Sequence, residues 1–149
     1  MKMNAKDYEV YDAKDKVLGR LASQVAKQLL SGKKVAVINA EQAIISGDRL
    51  KIKAKYQTRL NLRELENPEH SPYWSRRPDM LVKRVIRGML PYHRKATGKD
   101  AYRRLFVFIG IPDELKASKP IEIKSKDPKA LYTGYVRVKE LAQLLGYNR

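Results

Sequence analysis

The hydrophobic pattern of residues 8–40 predicts a strand, a helix and a second strand. The run YEVYDA at 8–13 is short and rich in β-prone residues. From residue 18 apolar side chains recur every three or four positions, as on the buried face of a helix, and Gly32 stands where a left-handed helix end belongs. The apolar face consists of Leu18, Leu21, Ala22, Val25, Ala26 and Leu29. The run VAVINA at 35–40 is almost continuously apolar, like strands covered on both faces, so the three elements indicate a βαβ unit.

Residues 48–63 give two conflicting signals. Apolar and lysine residues alternate over 50–56, which is the period of a strand. The alternation then ends, whereas the four-residue spacing of Ile52, Tyr56 and Leu60 continues. Most of these residue types favour a helix, and Ser46-Gly47-Asp48 suits a helix entry. We therefore predict a helix over 48–63.

An irregular but ordered excursion is predicted at 64–78, since this stretch contains three prolines and the only tryptophan, Trp74. A helix should follow from Pro78 and end at Pro91, because proline and Asp79 suit the first turn of a helix. Its inner face is predicted to carry Val82, Val85, Ile86 and Met89, and its outer face Lys83, Arg84 and Arg87.

The last part of the chain returns to strands and closes on a helix. After a basic loop and short helix at 91–104, LFVFIGIP at 105–112 is predicted to be another apolar strand. A Lys- and Pro-rich connection leads to a predicted strand at 135–137 and a helix that ends at Gly146. The inner face of that helix consists of Val138, Leu141, Leu144 and Leu145. Without an internal repeat or a linker, residues 1–149 are predicted to form one α/β domain.

Composition excludes several classes of protein. The chain has no cysteine, which excludes disulfide scaffolds, thiolate zinc sites and cysteine nucleophiles. Its longest apolar stretch, residues 105–111, is far shorter than the roughly 20 residues that span a bilayer. The N-terminal run MKMNAKDYEV lacks the apolar core of a signal peptide. We therefore expect a soluble protein.

Positive charge is large and unevenly distributed. The chain has 32 Lys and Arg against 16 Asp and Glu, a net charge of +16. Residues 76–104 carry 10 basic and 2 acidic side chains, so this segment of net charge +8 holds half of the surplus. Because one sign dominates, self-repulsion must be offset by something; a polyanion is the obvious candidate, and a nucleic acid is favoured. An anionic membrane, or charge that serves solubility alone, is the alternative.

Nucleotide-binding loops of enzymes are not matched. Gly98-Lys99 resembles the end of a P-loop, but Asp100 follows the lysine and His93 stands where the first glycine is required. A dinucleotide fingerprint needs three glycines at the start of the first helix, and only Gly19 is present there. Gly19 is better explained as a turn residue that leads into the helix.

Metal and hydrolase chemistry is also not favoured. His70 and His93 have no cysteine partners, so a structural zinc site is not expected. A Ser–His–Asp arrangement assembled from distant positions stays open, but the cations beside His93 favour contact with a phosphate or a base. Asp79 and Asp100 are interpreted as residues at helix starts rather than as a catalytic pair. We expect no enzyme activity, no cofactor, no metal and no small-molecule substrate.

The composition of the basic segment favours a folded RNA as the partner. Its arginines outnumber its lysines, and arginine binds phosphate bidentately and stacks on bases. Tyr73, Trp74, Tyr92 and Tyr102 are interleaved and could stack as well, although core packing is the default for each. No zinc finger, basic zipper or single-strand RNA-recognition pattern is present. The candidate RNA-binding residues are Lys51, Lys55, Arg59, Arg76, Arg77, Lys83, Arg84, Arg87, His93, Arg94, Lys95, Lys99, Arg103 and Arg104.

The segment Pro91–Arg104 is expected to be mobile in the free protein and to order on RNA. Its cations repel one another, and few large apolar side chains are available to hold it. Gly98 is expected to add backbone freedom.

A family resemblance rests on three strings. These are VLGRLAS at 17–23, INAEQAIISG at 38–47 and RVIRGMLPYHRKATGKDAYRRLFVFIGIP at 84–112. They resemble the large-subunit ribosomal protein L-thirteen family, in its archaeal and eukaryotic branch, and NPEHSPYWSRRP at 67–78 resembles the archaeal form. The RGMLP string followed by a basic loop and a strand is highly specific, and the likeness extends from Tyr8 to the closing helix. It implies a three-layer α/β/α fold with a small, mainly parallel four-stranded sheet and a basic helix-loop extension.

The resemblance also implies a function. It points to a structural constituent of the large ribosomal subunit, located on cytoplasmic ribosomes, that binds large-subunit ribosomal RNA beside neighbouring ribosomal proteins. An RNA-processing or nucleotide-binding enzyme on the same scaffold is the alternative, because a fold does not determine a function.

Overall fold

The described residues, 7–123 and 131–148, form five strands and five helices in the computed structural model. The strands are β1 (Tyr8–Asp12), β2 (Lys34–Ile38), β3 (Ile44–Ser46), β4 (Leu105–Val107) and β5 (Tyr135–Arg137). The helices are α1 (Leu18–Leu30), α2 (Arg49–Asn61), α3 (Pro78–Gly88), α4 (Ala96–Arg103) and α5 (Val138–Leu144). Short 3-10 turns lie at 40–42, 68–70 and 113–115. This succession confirms the α/β class.

The central sheet is parallel and has the strand order β1-β2-β4. The sequence resemblance implied four strands, whereas the described residues give three, and the place beside β1 is held only by an isolated bridge between Tyr11 and Ile121. β5 instead pairs antiparallel with β3, with Val136 opposite Ile45. The predicted strand at 105–112 ends early at Val107. Its course changes at Gly110, which has a positive φ of 69°.

Helix α1 covers one face of this sheet. All six residues of its predicted apolar face are buried, which confirms the prediction. They pack with Val35 and Val37 of β2 and with α3 and α4. On the opposite face, Val10, Ala36 and Ile38 pack against Leu115 of the turn at 113–115. The three-layer fold implied by the resemblance has helices on both faces of the sheet. Among the described residues, the turn at 113–115 lies on this second face instead.

Helix α2 resolves the conflicting signals of residues 48–63. Its N-cap is Asp48, whose carboxylate accepts a hydrogen bond from the Leu50 amide at 3.0 Å. Ile52, Tyr56 and Leu60 face inward, and their four-residue spacing was therefore the correct signal. Capping of a free amide at the first turn stabilises such a helix by about 1 kcal/mol.

Helix α3 follows Pro78, as predicted, but its buried face is rotated from the predicted one. Leu81, Val82 and Ile86 are buried. Met89, which was expected inside, is 41% exposed just beyond the end of the helix. The helix ends before Met89, so the helical spacing used for the prediction no longer applies there.

Residues 96–103 form helix α4, which packs closely against the Pro91 backbone and α1. Gly98 is buried, and a Cβ atom added to it would lie 2.3 Å from the Pro91 carbonyl oxygen. Ala101 is also buried, against α1. Gly98 thus permits close packing instead of the backbone freedom that was expected. The short helix predicted within 91–104 thus lies at 96–103, and the mobility expected of this segment in the free protein stays a prediction.

The closing helix α5 returns the chain to the core. Val138, Leu141 and Leu145 are buried as predicted, whereas Leu144 is only half-buried. Gly146 follows with a positive φ of 92°, which matches its predicted role as the stop. α5 packs against α3 and the turn at 40–42. Residues 124–130, part of the predicted Lys- and Pro-rich connection, lie outside the described residues.

Candidate nucleic-acid interface

Helix α3 places Arg84 directly against the only tryptophan. The guanidinium carbon of Arg84 lies 3.3 Å from the centre of the Trp74 ring, and its Nη1 donates a hydrogen bond to the Tyr73 carbonyl oxygen at 2.9 Å. A cation over an indole face is attracted by the quadrupole of the ring. These two contacts fasten the excursion at 71–77 onto α3.

Helix α2 brings a second arginine to the same ring. The guanidinium carbon of Arg59 lies 4.9 Å from the centre of the Trp74 ring and 5.3 Å from that of Tyr56. Tyr56 precedes Arg59 by three positions, so both side chains leave α2 on one side. The two arginines and two aromatic rings form a layered cluster, here called the arginine–aromatic stack (Tyr56, Arg59, Trp74 and Arg84).

A cavity of about 300 Å³ lies beside this stack. Basic side chains at its wall are Arg59, Arg84, Arg87 and His93. Leu81, Val85 and Leu90 add apolar surface, and Gly88 leaves part of the wall without a side chain. Among the described residues that line the cavity there is no carboxylate. The cavity therefore combines positive charge with an apolar floor.

The electrostatics of the cavity are unbalanced. Burial lowers the pKa of Arg84, and the like charges of Arg87 and Arg59 lower it further. Across residues 7–123 and 131–148, no ion pair engages Arg59, Arg84 or Arg87. Three mutually repelling cations without a carboxylate favour a bound anion.

A second group of aromatic residues continues the surface toward α4. The Tyr92 ring meets the rings of His93 and Tyr102 edge to face, with centroids 5.0 and 5.2 Å apart. Arg87 lies 5.3 Å from the centre of Tyr92, and Lys83 lies 5.1 Å from that of Tyr102. Burial lowers the pKa of Lys83, although Asp79 opposes the change. Two of the tyrosines interleaved with the basic residues, Tyr92 and Tyr102, thus make cation–π contacts with Arg87 and Lys83.

Most of the remaining candidate residues project into solvent. The exposed ones are Lys51, Lys55, Arg76, Arg77, Arg94, Lys95, Lys99 and Arg103. Two of these have carboxylate partners: Arg77 binds Asp79 bidentately at 2.8 and 3.2 Å, and Arg103 contacts Asp100 at 3.4 Å. Asp79 stands in the first turn of α3 as interpreted, whereas Asp100 lies inside α4.

Arg104 has a structural position that the sequence did not predict. Its Nη2 donates a hydrogen bond to the Leu29 carbonyl oxygen at 2.9 Å, at the C-terminal end of α1. Its Nε is buried without a hydrogen-bond partner among the described residues. A cation at this end of a helix offsets the partial negative charge of the last carbonyl groups. Arg104 therefore holds α1 to the segment that follows α4.

Sequence reasoning missed the residues that complete the cavity. Tyr56, Leu81, Gly88 and Leu90 were not among the candidate residues. The spacing of Tyr56 and Arg59 on α2 could have indicated the first of them. No nearby sequence pattern indicates Leu81, Gly88 or Leu90 as lining residues, because the cavity forms only where α2, α3 and the 71–77 excursion meet.

Within residues 7–123 and 131–148, histidine and carboxylate side chains do not gather in threes, as a metal site would require. Every helix in the part of the chain that the structure describes is too short or too polar to cross a membrane.

The fold and the site define a class: small basic α/β proteins in which arginine and aromatic side chains share one positively charged surface. Residues 6–114 match the family described as Ribosomal protein L13. The chain is 46% identical over 139 residues to the large ribosomal subunit protein uL13 of Methanosarcina barkeri, a match that covers 92% of this chain and 96% of that protein. Proteins of the same name from Methanosphaera stadtmanae and Sulfurisphaera tokodaii are each 43% identical over 138 residues, which is 92% of this chain and 96% and 93% of theirs.

The chain therefore belongs to the ribosomal protein L13 family. The resemblance drawn from the three sequence strings is confirmed, and so is its archaeal character. Members of this family are structural ribosomal proteins, so the enzyme alternative is not retained.

Proposed function

We propose that this chain is a structural component of the large ribosomal subunit on cytoplasmic ribosomes. In this role it binds folded large-subunit ribosomal RNA through α3, the basic connection at 89–95 and α4, and it lies beside other ribosomal proteins. The names of its relatives support the subunit, since each is a large ribosomal subunit protein. The RNA contact is an inference from chemistry.

The proposed RNA contact is inferred from positive charge that no acidic side chain of the cavity balances. Arg59, Arg84 and Arg87 surround one cavity with His93, and no described lining residue is acidic. Exposed cations on α4 and just before it extend the same positive surface. Phosphate groups neutralise such a surface, and the release of their counterions favours binding. Arginine stacked on aromatic rings also presents flat surfaces to bases.

Sedimentation with ribosomes tests the proposal. The full chain, produced with a tag in an archaeal host, should stay with large subunits through a high-salt wash. A triple variant, Arg94→Gln, Lys95→Gln and Lys99→Gln, should be released at lower salt, because three exposed cations of the proposed surface are lost.

A matched triple variant separates position from total charge. Lys14, Arg20 and Lys27 are exposed cations outside the proposed surface, and their replacement by Gln removes the same charge. This control should be retained like the unchanged chain. Equal release of both variants would show that overall charge, and not this surface, makes the contact. Absence of the unchanged chain from large subunits would overturn the proposed function itself.

A further inference from the structure

We propose that the cavity beside the arginine–aromatic stack receives a single nucleotide extruded from the bound RNA. The inference rests on the proposed RNA contact and specifies its most selective part. A flat positive patch suffices to hold an RNA backbone, and this site has more than that. Its charge, its floor and its size each indicate a nucleotide.

The charge of the cavity fits a phosphodiester group. Arg59, Arg84 and Arg87 converge on one space, no ion pair engages them in the described ranges, and His93 joins them at the wall. Arginine offers a planar fork of donors that matches phosphate oxygens. A phosphate between these guanidinium groups would relieve their mutual repulsion.

The floor of the cavity fits a base. Leu81 and Leu90 are only 5% and 6% exposed, and Val85 is half-buried beside them. Backbone phosphates gain nothing from aliphatic carbon, whereas the face of a base loses water on contact with it. The guanidinium planes of Arg59 and Arg84, already layered on aromatic rings, offer further stacking surfaces.

The size of the cavity limits the ligand to about one nucleotide. Its volume of about 300 Å³ lies at the lower end of small-molecule sites, which run from roughly 300 to 1,000 Å³. A helical segment of RNA does not fit such a space. A base can enter only if it leaves its stack, as bases do in proteins that read them outside a helix.

The surroundings favour a nucleotide within RNA over a free nucleotide. Gly88 is the last residue of α3, so the carbonyl end of the helix lies at the cavity wall. Carbonyl groups at that end repel anions, so a di- or triphosphate is disfavoured. The single charge of a phosphodiester is balanced by the guanidinium groups of Arg59, Arg84 and Arg87, and the exposed cations outside the cavity contribute the remaining affinity.

Gly88 allows the cavity to be blocked without any change in charge. A Cβ atom added at Gly88 would meet no other atom within 4 Å, and the residue has ordinary helical φ. Because Gly88 lines the cavity, Gly88→Leu is expected to place its side chain at the cavity wall while α3 is kept. Gly19→Leu is the matched control, since Gly19 is an exposed residue of α1 with equally open surroundings. Circular dichroism verifies that both variants fold.

The experiment measures the affinity of each full-length protein for protein-free archaeal large-subunit RNA. Trp74, the only tryptophan, reports on the cavity through its fluorescence. Gly88→Leu should weaken binding by about tenfold, the scale of one lost base-stacking contact, and should abolish quenching of Trp74. The salt dependence of binding should stay unchanged, because no cation is removed. Gly19→Leu should behave like the unchanged protein.

Other outcomes would overturn the inference in distinguishable ways. If Gly88→Leu keeps full affinity and full quenching, the cavity is not a nucleotide site, although the proposed function stands. If free UMP or AMP binds with a Kd below about 10 µM, and Gly88→Leu abolishes this binding but not RNA affinity, the ligand is a free nucleotide. If the unchanged protein fails to bind the RNA, both the proposed function and the inference are wrong.

Discussion

At the scale of single residues, position 98 decides how α4 is seated. The Gly98 α-carbon lies so close to the Pro91 backbone that a methyl group would overlap its carbonyl oxygen. Replacement of glycine by alanine inside a helix normally stabilises it by about 1 kcal/mol. At Gly98 we expect the opposite: Gly98→Ala should lower the free energy of unfolding by about 2–3 kcal/mol in urea titrations, because backbone must move.

Gly88→Ala is the control for this prediction. Gly88 also lies in a helix, but an added methyl group meets open space there. The substitution should raise stability by up to about 1 kcal/mol. If Gly98→Ala proved as stable as Gly88→Ala, α4 would not rest on Pro91.

Titration of Tyr11 makes the free energy of unfolding depend on pH in the alkaline range. Burial, with the adjacent Glu9 carboxylate as a lesser cause, raises the pKa of Tyr11 from 10.0 to about 12. The unfolded chain therefore releases this proton first, so the contribution is complete below pH 10 and is lost as the pH rises toward 12. Urea midpoints measured across this range should fall less in Tyr11→Phe than in the unchanged protein. Equal falls would show that Tyr11 does not titrate differently on folding.

At the scale of elements, Arg84 joins α3 to the 71–77 excursion by two contacts. The sequence places Arg84 on the outer face of α3, where a substitution usually changes the free energy of unfolding by no more than about 0.5 kcal/mol. Its stacking on Trp74 and its hydrogen bond to Tyr73 change that expectation. Arg84→Gln should lower the free energy of unfolding by about 1–2 kcal/mol.

A double-mutant cycle with Trp74→Leu checks the origin of this cost. The two substitutions should couple by about 1 kcal/mol, because each removes one side of the same contact. Arg94→Gln, at an exposed position where no aromatic ring among the described residues stacks on the guanidinium group, should change stability by no more than about 0.5 kcal/mol. Additive effects of Arg84→Gln and Trp74→Leu would mean that the ring and the guanidinium do not interact in solution.

Local patterns predicted the elements well, and tertiary contacts decided the rest. The stripe on α1 and the cap of α2 were readable because both are set by residues a few positions apart. The pairing of β5 with β3 could not be predicted, because it joins segments about ninety residues apart and neither sequence indicates its partner. In the site, Arg84 and His93 were identified from charge, whereas Gly88 acquires its role only from the helix that faces it.

At the scale of the whole molecule, the net charge of +16 should govern RNA affinity. If about six to eight phosphates are neutralised, a plot of log affinity against log salt concentration should have a slope of about −4 to −7. Filter binding of the full chain to protein-free large-subunit RNA at several salt concentrations measures this slope. A slope shallower than about −2 would mean that the basic segment is not the main contact.

The return of β5 and α5 to the core has a consequence for the order of events during synthesis. β5 completes a ladder with β3, and α5 packs against α3, the helix that carries Arg84 and Arg87. A ribosome makes residues 135–145 after the other described elements, so α3 lacks its support until they have emerged. A growing chain therefore carries the positive charge of residues 76–104 before α3 is packed against α5. If α3 presents the RNA-binding surface as proposed, selective binding should begin only once residues 135–145 have emerged, and unfinished chains should compete poorly for the same RNA.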